Sequence, residues 1–477
     1  MVIPKEVKTI LEKLHKAGFE AYIVGGCVRD FLLGNEPKDW DVATNAKPEE
    51  IQKIFPDSFY ENNFLTVGVK TDMGVVEVTT YRLEAEYSDK RHPDKLQYAK
   101  TLQEDLARRD FTINAMAMGL DKKVIDPFDG QKDLKKRIIK TVGSPNERFG
   151  EDALRMLRAV RFATVLGFTI EKETAEAIKK NSLWIEAVSK ERIRDELVKM
   201  VMAPKAADGI ELLREFGLLK YIMPELMENV GVGQNKHHIY DCYEHALKAL
   251  EYTAKKKFGL HVRLAALLHD VGKPRVKIGE GKESTFYNHE MIGAKIAFQI
   301  LQRLKFSNDH VNAVVNLVRH HMFYYNVDEV TESSVRRLVK RVGPENMEAL
   351  LQVREADRIG SGVPKAEPYK LRHLKYIIEK VSKDPISVKM LAVDGKEVMD
   401  VLGIAPGPKI GQILDTLLGH VLDDPSKNTA EFLRGEIKVL GALSEKELKS
   451  LAEKSKEDTF GVQAAEDEKV KSKYWVK

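Results

Sequence analysis

Cysteine is scarce in this chain. Of 477 residues only Cys27 and Cys242 are cysteines, far apart and at no disulfide or zinc spacing. A disulfide scaffold and a cysteine-based zinc module are excluded, which leaves two unrelated reduced thiols. Apolar runs near the ~18 residues that a membrane span needs are also missing. So is a basic N-terminal stretch followed by an apolar one. The expectation is a cytoplasmic protein with no membrane partner. Excess charge of one sign is lacking too: 77 Lys and Arg against 73 Asp and Glu leave +4. That balance does not by itself call for nucleic acid, although a local basic face would suffice, because phosphate contacts depend on local charge.

The length suits about three domains at ~150 residues each. Val7, Ile10, Leu11 and Leu14 follow helical spacing. Strand-like runs follow at Ala21–Val24, Asp39–Val42, Leu65–Val69 and Val75–Thr80. Past 145 the strand signals fade, and helical patterns take over at Ala153–Leu166, Ile193–Met202 and Arg263–Leu268. The predicted class is α+β, with a mixed-sheet head and an all-α remainder. The predicted boundaries are a head over 1–140, a helical neck over 141–230, a metal-binding part over 231–365 and a C-terminal helical part over 366–450. Gly403 to Gly411 reads as a loop. The tail over 451–477 is rich in Lys and Glu and poor in large apolar residues, so disorder is expected there, apart from a contact by Tyr474 and Trp475.

The first chemical signal is Gly25-Gly26 with Arg29, followed by Asp39-Trp40-Asp41. Gly25 and Gly26 sit between a strand and a helix, where backbone N–H groups can approach a triphosphate. Arg29 can add a charge-assisted bond to phosphate. Asp39 and Asp41, two apart on a strand, would present both carboxylates on one face. Such a pair can hold two hard cations, one activating a hydroxyl and one stabilising pyrophosphate as it leaves. A lone Gly-Gly is usually a turn, and a lone Asp-x-Asp is usually a solvated edge. Together at this spacing they resemble motif A of the polymerase-β-like nucleotidyltransferases, in the form found in class II tRNA nucleotidyltransferases and bacterial poly(A) polymerases.

Further motifs of that family follow in order. Arg108-Arg109-Asp110, continuing to Ala117, resembles motif B, which contacts the nucleotide sugar. Asp126–Gly130 with Asp133-Leu134 is similar to motif C, the head–neck hinge. Glu151-Asp152 with Arg155 matches motif D, and Glu191-Arg192 with Glu196-Leu197 resembles motif E, a helix-turn stabiliser. Asp152 and Arg155, three apart, would share a helix face. A carboxylate only accepts and a guanidinium only donates, which matches the amino donor and ring-nitrogen acceptor of cytosine and adenine. The resemblance therefore implies selection of CTP and ATP without a template, two Mg2+ ions and a tRNA substrate. Glu77 is a candidate third carboxylate beside the metals. Arg155, Arg158 and Arg161 recur every three residues, with Arg192 and Arg194 further on, and these can line the nucleotide pocket or track RNA. Residues 84–99 form a polar linker where CCA-adding relatives carry a loop that assists the switch from C to A. The paired basic residues of poly(A) polymerases are absent from the stretch Asn62-Asn63-Phe64-Leu65. Poly(A) polymerase and enzymes adding only CC or only A are the same-class alternatives.

A second constellation lies downstream. His269-Asp270 follows an apolar helix, with His245 upstream and Asp357 downstream. That order resembles an HD-superfamily phosphohydrolase. His289, His320 and His321 match additional positions of its two-metal members, and Lys273 matches the usual lysine after the His-Asp pair. Nitrogen-rich donors suit a transition metal such as nickel, manganese or iron. The implied reaction is metal-assisted hydrolysis of phosphate esters, including 2′,3′-cyclic phosphates. A rival from another class makes this hydrolase the principal activity and the head a nucleotide sensor. From Pro406 to Gly411 and beyond, the sequence is similar to the C-terminal helical domain of bacterial CCA-adding enzymes, which holds the tRNA elbow.

Overall fold

The computed structural model describes residues 2–61, 65–85, 95–235, 239–382 and 387–476. The chain forms two compact units: 1–322 with 348–364, and 323–347 with 365–477.

The first unit opens with the helix Lys5–Lys16, whose Val7, Ile10, Leu11 and Leu14 are all buried, as their spacing predicts. The strands are β1 (Ala21–Val24), β2 (Asp41–Thr44), β3 (Ser58–Glu61), β4 (Thr66–Thr71), β5 (Gly74–Thr80), β6 (Arg82–Ala85), β7 (Lys95–Tyr98), β8 (Ala117–Met118) and β9 (Val124–Ile125). Seven of them build one sheet in the order β3-β4-β5-β2-β1-β8-β9. It is mixed: β2 and β5 run parallel, and the other pairings are antiparallel. Along β5 the buried Val76 and Val78 alternate with more exposed residues, whereas in the central β2 Val42, Ala43 and Thr44 are all buried, so the middle of the sheet is covered on both faces. β2 starts at Asp41, not Asp39. Asp39 lies in the bend before it, so the two aspartates do not share a strand as expected.

The linker over 84–99 differs from a plain loop. Its two ends pair antiparallel as β6 and β7, with Arg82 opposite Tyr98 and Ala85 opposite Lys95. Alternating apolar and polar residues favour a ribbon there. Residues 86–94, which include Tyr87 to Pro93, and residues 62–64 fall outside the described residues.

The rest of the chain is mostly helical. Two helices decide where the functional groups stand. Leu154–Leu166 packs on Lys190–Val201 in the neck, and Leu260–Leu268 leads directly into His269. The second is anchored by Arg263, which is 3% exposed and donates from Nη1 to the carbonyls of Val201 (2.9 Å) and Ala203 (3.0 Å). A buried guanidinium persists only where its donors are used, so the neck fixes the start of the metal cluster.

The second unit packs Val398, Ile413, Leu417, Leu433, Ile437 and Leu448 into one core. The expected loop up to Gly411 is shorter, because Pro408 opens the helix Pro408–Asp423. The expected disorder after 451 is overturned. Glu445–Lys473 is one helix, started by a capping box between Ser444 and Glu447. Leu448, Ala452 and Val470 bury what apolar surface it has, and Tyr474 donates its hydroxyl to Glu379 at 2.9 Å. Composition suggests disorder, but a cap and a docking face supply the missing stability. No helix among the described residues is long and apolar enough to cross a membrane.

Candidate active site and metal centre

The head site is built on three neighbouring strands, β1, β2 and β5. Asp41 at the start of β2 stands in register with Glu77 of β5, so the two carboxylates share a sheet face. Glu77 is exposed and Asp41 half-buried. Burial and the charge of Asp39 push the Asp41 carboxyl up, although Arg109 pulls it down. Gly25 follows β1 with φ +82°, a conformation that suits glycine. A Cβ there would lie 2.7 Å from Arg109 Nη1 and 3.8 Å from Asp41 Oδ2. Glycine leaves room over the turn for the Arg109 guanidinium beside the Asp41 carboxylate. Arg109 is bonded to Asp105 (3.4 Å), and its buried Nε has no hydrogen-bond partner. An orphaned guanidinium nitrogen beside a carboxylate set fits an anion held by cations, and the all-oxygen donors suit magnesium.

Two expected phosphate contacts are engaged elsewhere. Gly25 N–H donates to the Met116 carbonyl at 3.2 Å. Arg29 is 8% exposed and donates to Asn114 Oδ1 (2.6 Å) and Asp30 Oδ1 (2.9 Å), next to the Phe162 ring. Gly26 opens the short helix Gly26–Leu32 against that guanidinium.

The neck side chains form a charge network. Asp110 Oδ1 accepts from Phe111 N–H (2.8 Å) and Asn114 Nδ2 (3.1 Å), and Oδ2 accepts from Arg158 Nε (2.8 Å). Burial raises the Asp110 carboxyl, but Arg158 and Asn114 outweigh it and hold it at about 2. Arg158 also lies 3.6 Å from Glu196, which binds Arg161 at 2.6 Å. Asp152 is not helical. It ends the helix Pro145–Glu151 with φ −143°, and its carboxylate is clasped by both Nη atoms of Arg192 at 3.2 and 2.6 Å. Arg155 is 8% exposed and donates to Glu151 and to the carbonyls of Arg148 and Arg108. The expected Asp152–Arg155 face is therefore not assembled here, because the turn at Asp152 and Ala153 separates the two. Asp105 and Asn114, which organise this network, stand out in no motif by themselves, whereas Glu151 belongs to motif D. Asp105 carried a signal, since it precedes Arg108 and Arg109 by three and four residues and pairs with both.

The downstream cluster assembles from five helices or helix ends. Two groups of potential ligands face each other: His245, His269 and Asp357, then Asp270, His289 and His321. Asp270 joins them. Its Oδ2 lies 3.1 Å from His245 Nε2 and 3.2 Å from His269 Nε2, and its Oδ1 lies 3.3 Å from His289 Nε2 and 3.7 Å from His321 Nε2. His269, His289 and His321 each place Nδ1 at 2.7 to 2.8 Å from the carbonyl three residues earlier. A carbonyl only accepts, so each Nδ1 carries a proton and each Nε2 points inward, a donor where it is protonated and a ligand where it is not. The Nε2 atoms of His245 and His269 stand 2.9 Å apart, which requires a shared proton or a cation. Burial lowers His269, but Asp270 and Asp357 push it up to about 10, while burial dominates at His321 and lowers it. The buried Asp270 and the half-buried Asp357 are held well below the usual carboxylate range by His269, His245 and neighbouring cations. Lys273 Nζ adds a 2.7 Å bond to Asp270 and a 2.6 Å bond to Gln234. Mixed nitrogen and carboxylate donors of this kind fit divalent transition metals. His320 belongs to neither group. It ends the helix Asn308–His320, and its neighbour His321, one step around, points inward.

Comparison with known proteins follows the same layout. Residues 21–140 match the poly A polymerase head domain, 167–229 the probable RNA and SrmB-binding site of polymerase A, and 236–360 the HD domain. A CCA-adding enzyme of Limosilactobacillus reuteri is 34% identical over 433 residues, covering 89% of this chain and 94% of that protein. The chain belongs to the tRNA nucleotidyltransferase family. An A-adding tRNA nucleotidyltransferase of Deinococcus radiodurans is also 34% identical, over 83% of this chain and 90% of its own. The crystal structure of the Bacillus stearothermophilus CCA-adding enzyme in complex with CTP aligns with a TM-score of 0.61 at 30% identity, covering 92% of this chain and 98% of that one. Relatives that add different nucleotides thus share the same 34% identity with the chain.

Proposed function

We propose that the protein adds C, C and A to the 3′ end of tRNA from CTP and ATP without a nucleic-acid template. The carrying observation is the carboxylate set of Asp41 and Glu77, with Asp39 beside it, under the guanidinium of Arg109. In the reaction the tRNA 3′ oxygen bonds to the α-phosphorus of the nucleotide, and the bond to pyrophosphate breaks. Magnesium held by Asp39 and Asp41 would lower the pKa of the attacking hydroxyl and neutralise the leaving pyrophosphate. Arg109 holds the triphosphate over Gly25. Asp152 and Arg155 read the base, which requires Asp152 to exchange Arg192 for the amino group of cytosine or adenine and Arg155 to give up its present acceptors, Glu151 among them. The head over 1–140 carries the chemistry, the neck over 141–230 the selection, and the helical residues over 366–450 hold tRNA, in a cytoplasmic enzyme. The test supplies tRNA lacking its 3′ end with each nucleotide singly and in pairs and sequences the products. Addition of C, C and A, then a stop, is expected. Products extended only from a CC end would make it an A-adding enzyme, and long A tails a poly(A) polymerase.

The HD centre supports a second activity, metal-assisted hydrolysis of 2′,3′-cyclic phosphates: water adds to phosphorus and the ring P–O bond opens to a monoester. Two ligand groups sharing Asp270 support it. The intact head carboxylates speak against reading the head as a mere sensor.

A further inference from the structure

Residues 323–347 fold into the second compact unit, although HD ligands precede and follow them in the chain. Their main element is the helix Glu332–Val342, capped by Thr331, whose side chain accepts from Ser334 N–H. Val335, Val339 and Val342 are buried on one face, and the helix packs on Tyr369–Ser382 within the same unit. The other side is cationic: Arg336, Arg337, Lys340 and Arg341 are all exposed. At about 100° per residue they fill an arc of about 140° away from the valines and span about 7.5 Å of helix axis. The helix carries one carboxylate, Glu332, and Lys380 takes it at 2.9 Å. Arg337 donates to the Ser334 hydroxyl at 2.8 Å. Among the described residues, no carboxylate pairs with any of the four cations. The helix dipole favours Lys340 and Arg341 in the last turn but not Arg336 and Arg337 in the middle. Arg336 with Lys340 and Arg337 with Arg341 are like charges one turn apart, which costs stability that no neighbour in the fold returns.

We propose that this arc binds the phosphate backbone of tRNA, meeting two phosphates or more. Exposed cations without internal partners release counterions when they meet a polyanion, which is where backbone affinity for nucleic acid comes from. Three of the four side chains are arginines, whose planar fork suits phosphate oxygens. A membrane surface fits less well, because an interfacial helix needs a free apolar face, and the valines of this one are spent inside its own unit. The inference rests on the tRNA reading above and adds to it a contact outside residues 366–450.

The test uses the full chain and tRNA lacking its 3′ end. One variant combines Arg336→Gln, Arg337→Gln, Lys340→Gln and Arg341→Gln, since glutamine keeps the helix propensity and removes the charge. Its affinity for tRNA at ~0.1 M salt should fall about tenfold or more. The plot of log affinity against log salt should become shallower by about 1.5 or more, at roughly 0.7 to 0.9 per lost phosphate contact. In nucleotide addition the KM for tRNA should rise, while the KM for CTP stays that of the parent. A second variant, with Arg336→Lys, Arg337→Lys and Arg341→Lys, keeps the charge and should keep the salt dependence and most of the affinity. Parent-like affinity and salt dependence in the glutamine variant overturn the contact, and so does an equal loss in the lysine variant. Loss of binding to anionic phospholipid vesicles with tRNA binding unchanged also overturns it, in favour of a membrane. Failure of the tRNA reading shows separately. A parent that binds tRNA through this arc but extends no 3′ end keeps the contact and sinks that reading, whereas parent and glutamine variant extending tRNA with one KM do the reverse.

Discussion

Replacing Asp110 by Asn tests whether this carboxylate organises the head–neck junction or binds nucleotide directly. Its Oδ2 takes Arg158 at 2.8 Å, and its Oδ1 takes Phe111 N–H and Asn114. Its pKa is about 2 in the fold against an ordinary 3.8. The depressed value means that ionised Asp110 favours the folded state. That contribution is fully present above the unfolded value and is lost as pH falls through the folded one. The shift corresponds to ~2.5 kcal/mol at neutral pH and about half of that at pH 3. The Asn amide also turns a donor toward at least one of the three donors that Asp110 now accepts from, which costs about 1 to 3 kcal/mol more. Denaturation followed by head fluorescence should therefore show Asp110→Asn less stable by ~3.5 to 5.5 kcal/mol at pH 7, with a smaller deficit at pH 3. A variant as stable as the parent at pH 7, yet weaker for CTP, would refute the organising role and return Asp110 to the nucleotide. A deficit that does not shrink in acid would refute the electrostatic origin.

The other expectations concern the two sites. Asp41→Ala and Asp39→Ala should each lower nucleotide addition by on the order of 10³ or more while leaving circular dichroism unchanged, since each removes an oxygen donor; a variant within tenfold of the parent would mean that these are not the metal ligands. Asp152→Ala should raise incorporation of U relative to C in single-turnover assays, because the acceptor for the amino group is gone; unchanged selectivity with a general loss of rate would limit Asp152 to its bond with Arg192. Metal analysis after gel filtration should find that Asp270→Ala empties both HD ligand groups, whereas His320→Ala retains the metal of the parent, as Asp270 is shared and His320 is in neither group. Retention of half the metal by Asp270→Ala would show two independent sites.

Much of this was legible from residue order. The glycine turn, Asp39 to Asp41, the motifs at Arg109 and Asp152, and the His-Asp pair at 269–270 are local patterns, and local patterns survive in one dimension. The helix at Lys5–Lys16 and the strand at Gly74–Thr80 were legible for the same reason, because apolar periodicity reports which face is buried. Partner choice was not legible. Spacing placed Asp152 and Arg155 on one helix face, but the backbone turns between them, and Arg192, forty residues away, takes the carboxylate. Spacing could not separate His320 from His321 either: the two are adjacent, and only the rotation of the helix Asn308–His320 against its neighbours turns one of them inward. The pairing of Asp41 with Glu77 depends on strand register, which is set by which valines must be buried across β2 and β5. The last helix shows the same limit. Its residues are polar enough to stay unfolded alone, and they order because a few apolar side chains find a core that lies elsewhere in the chain.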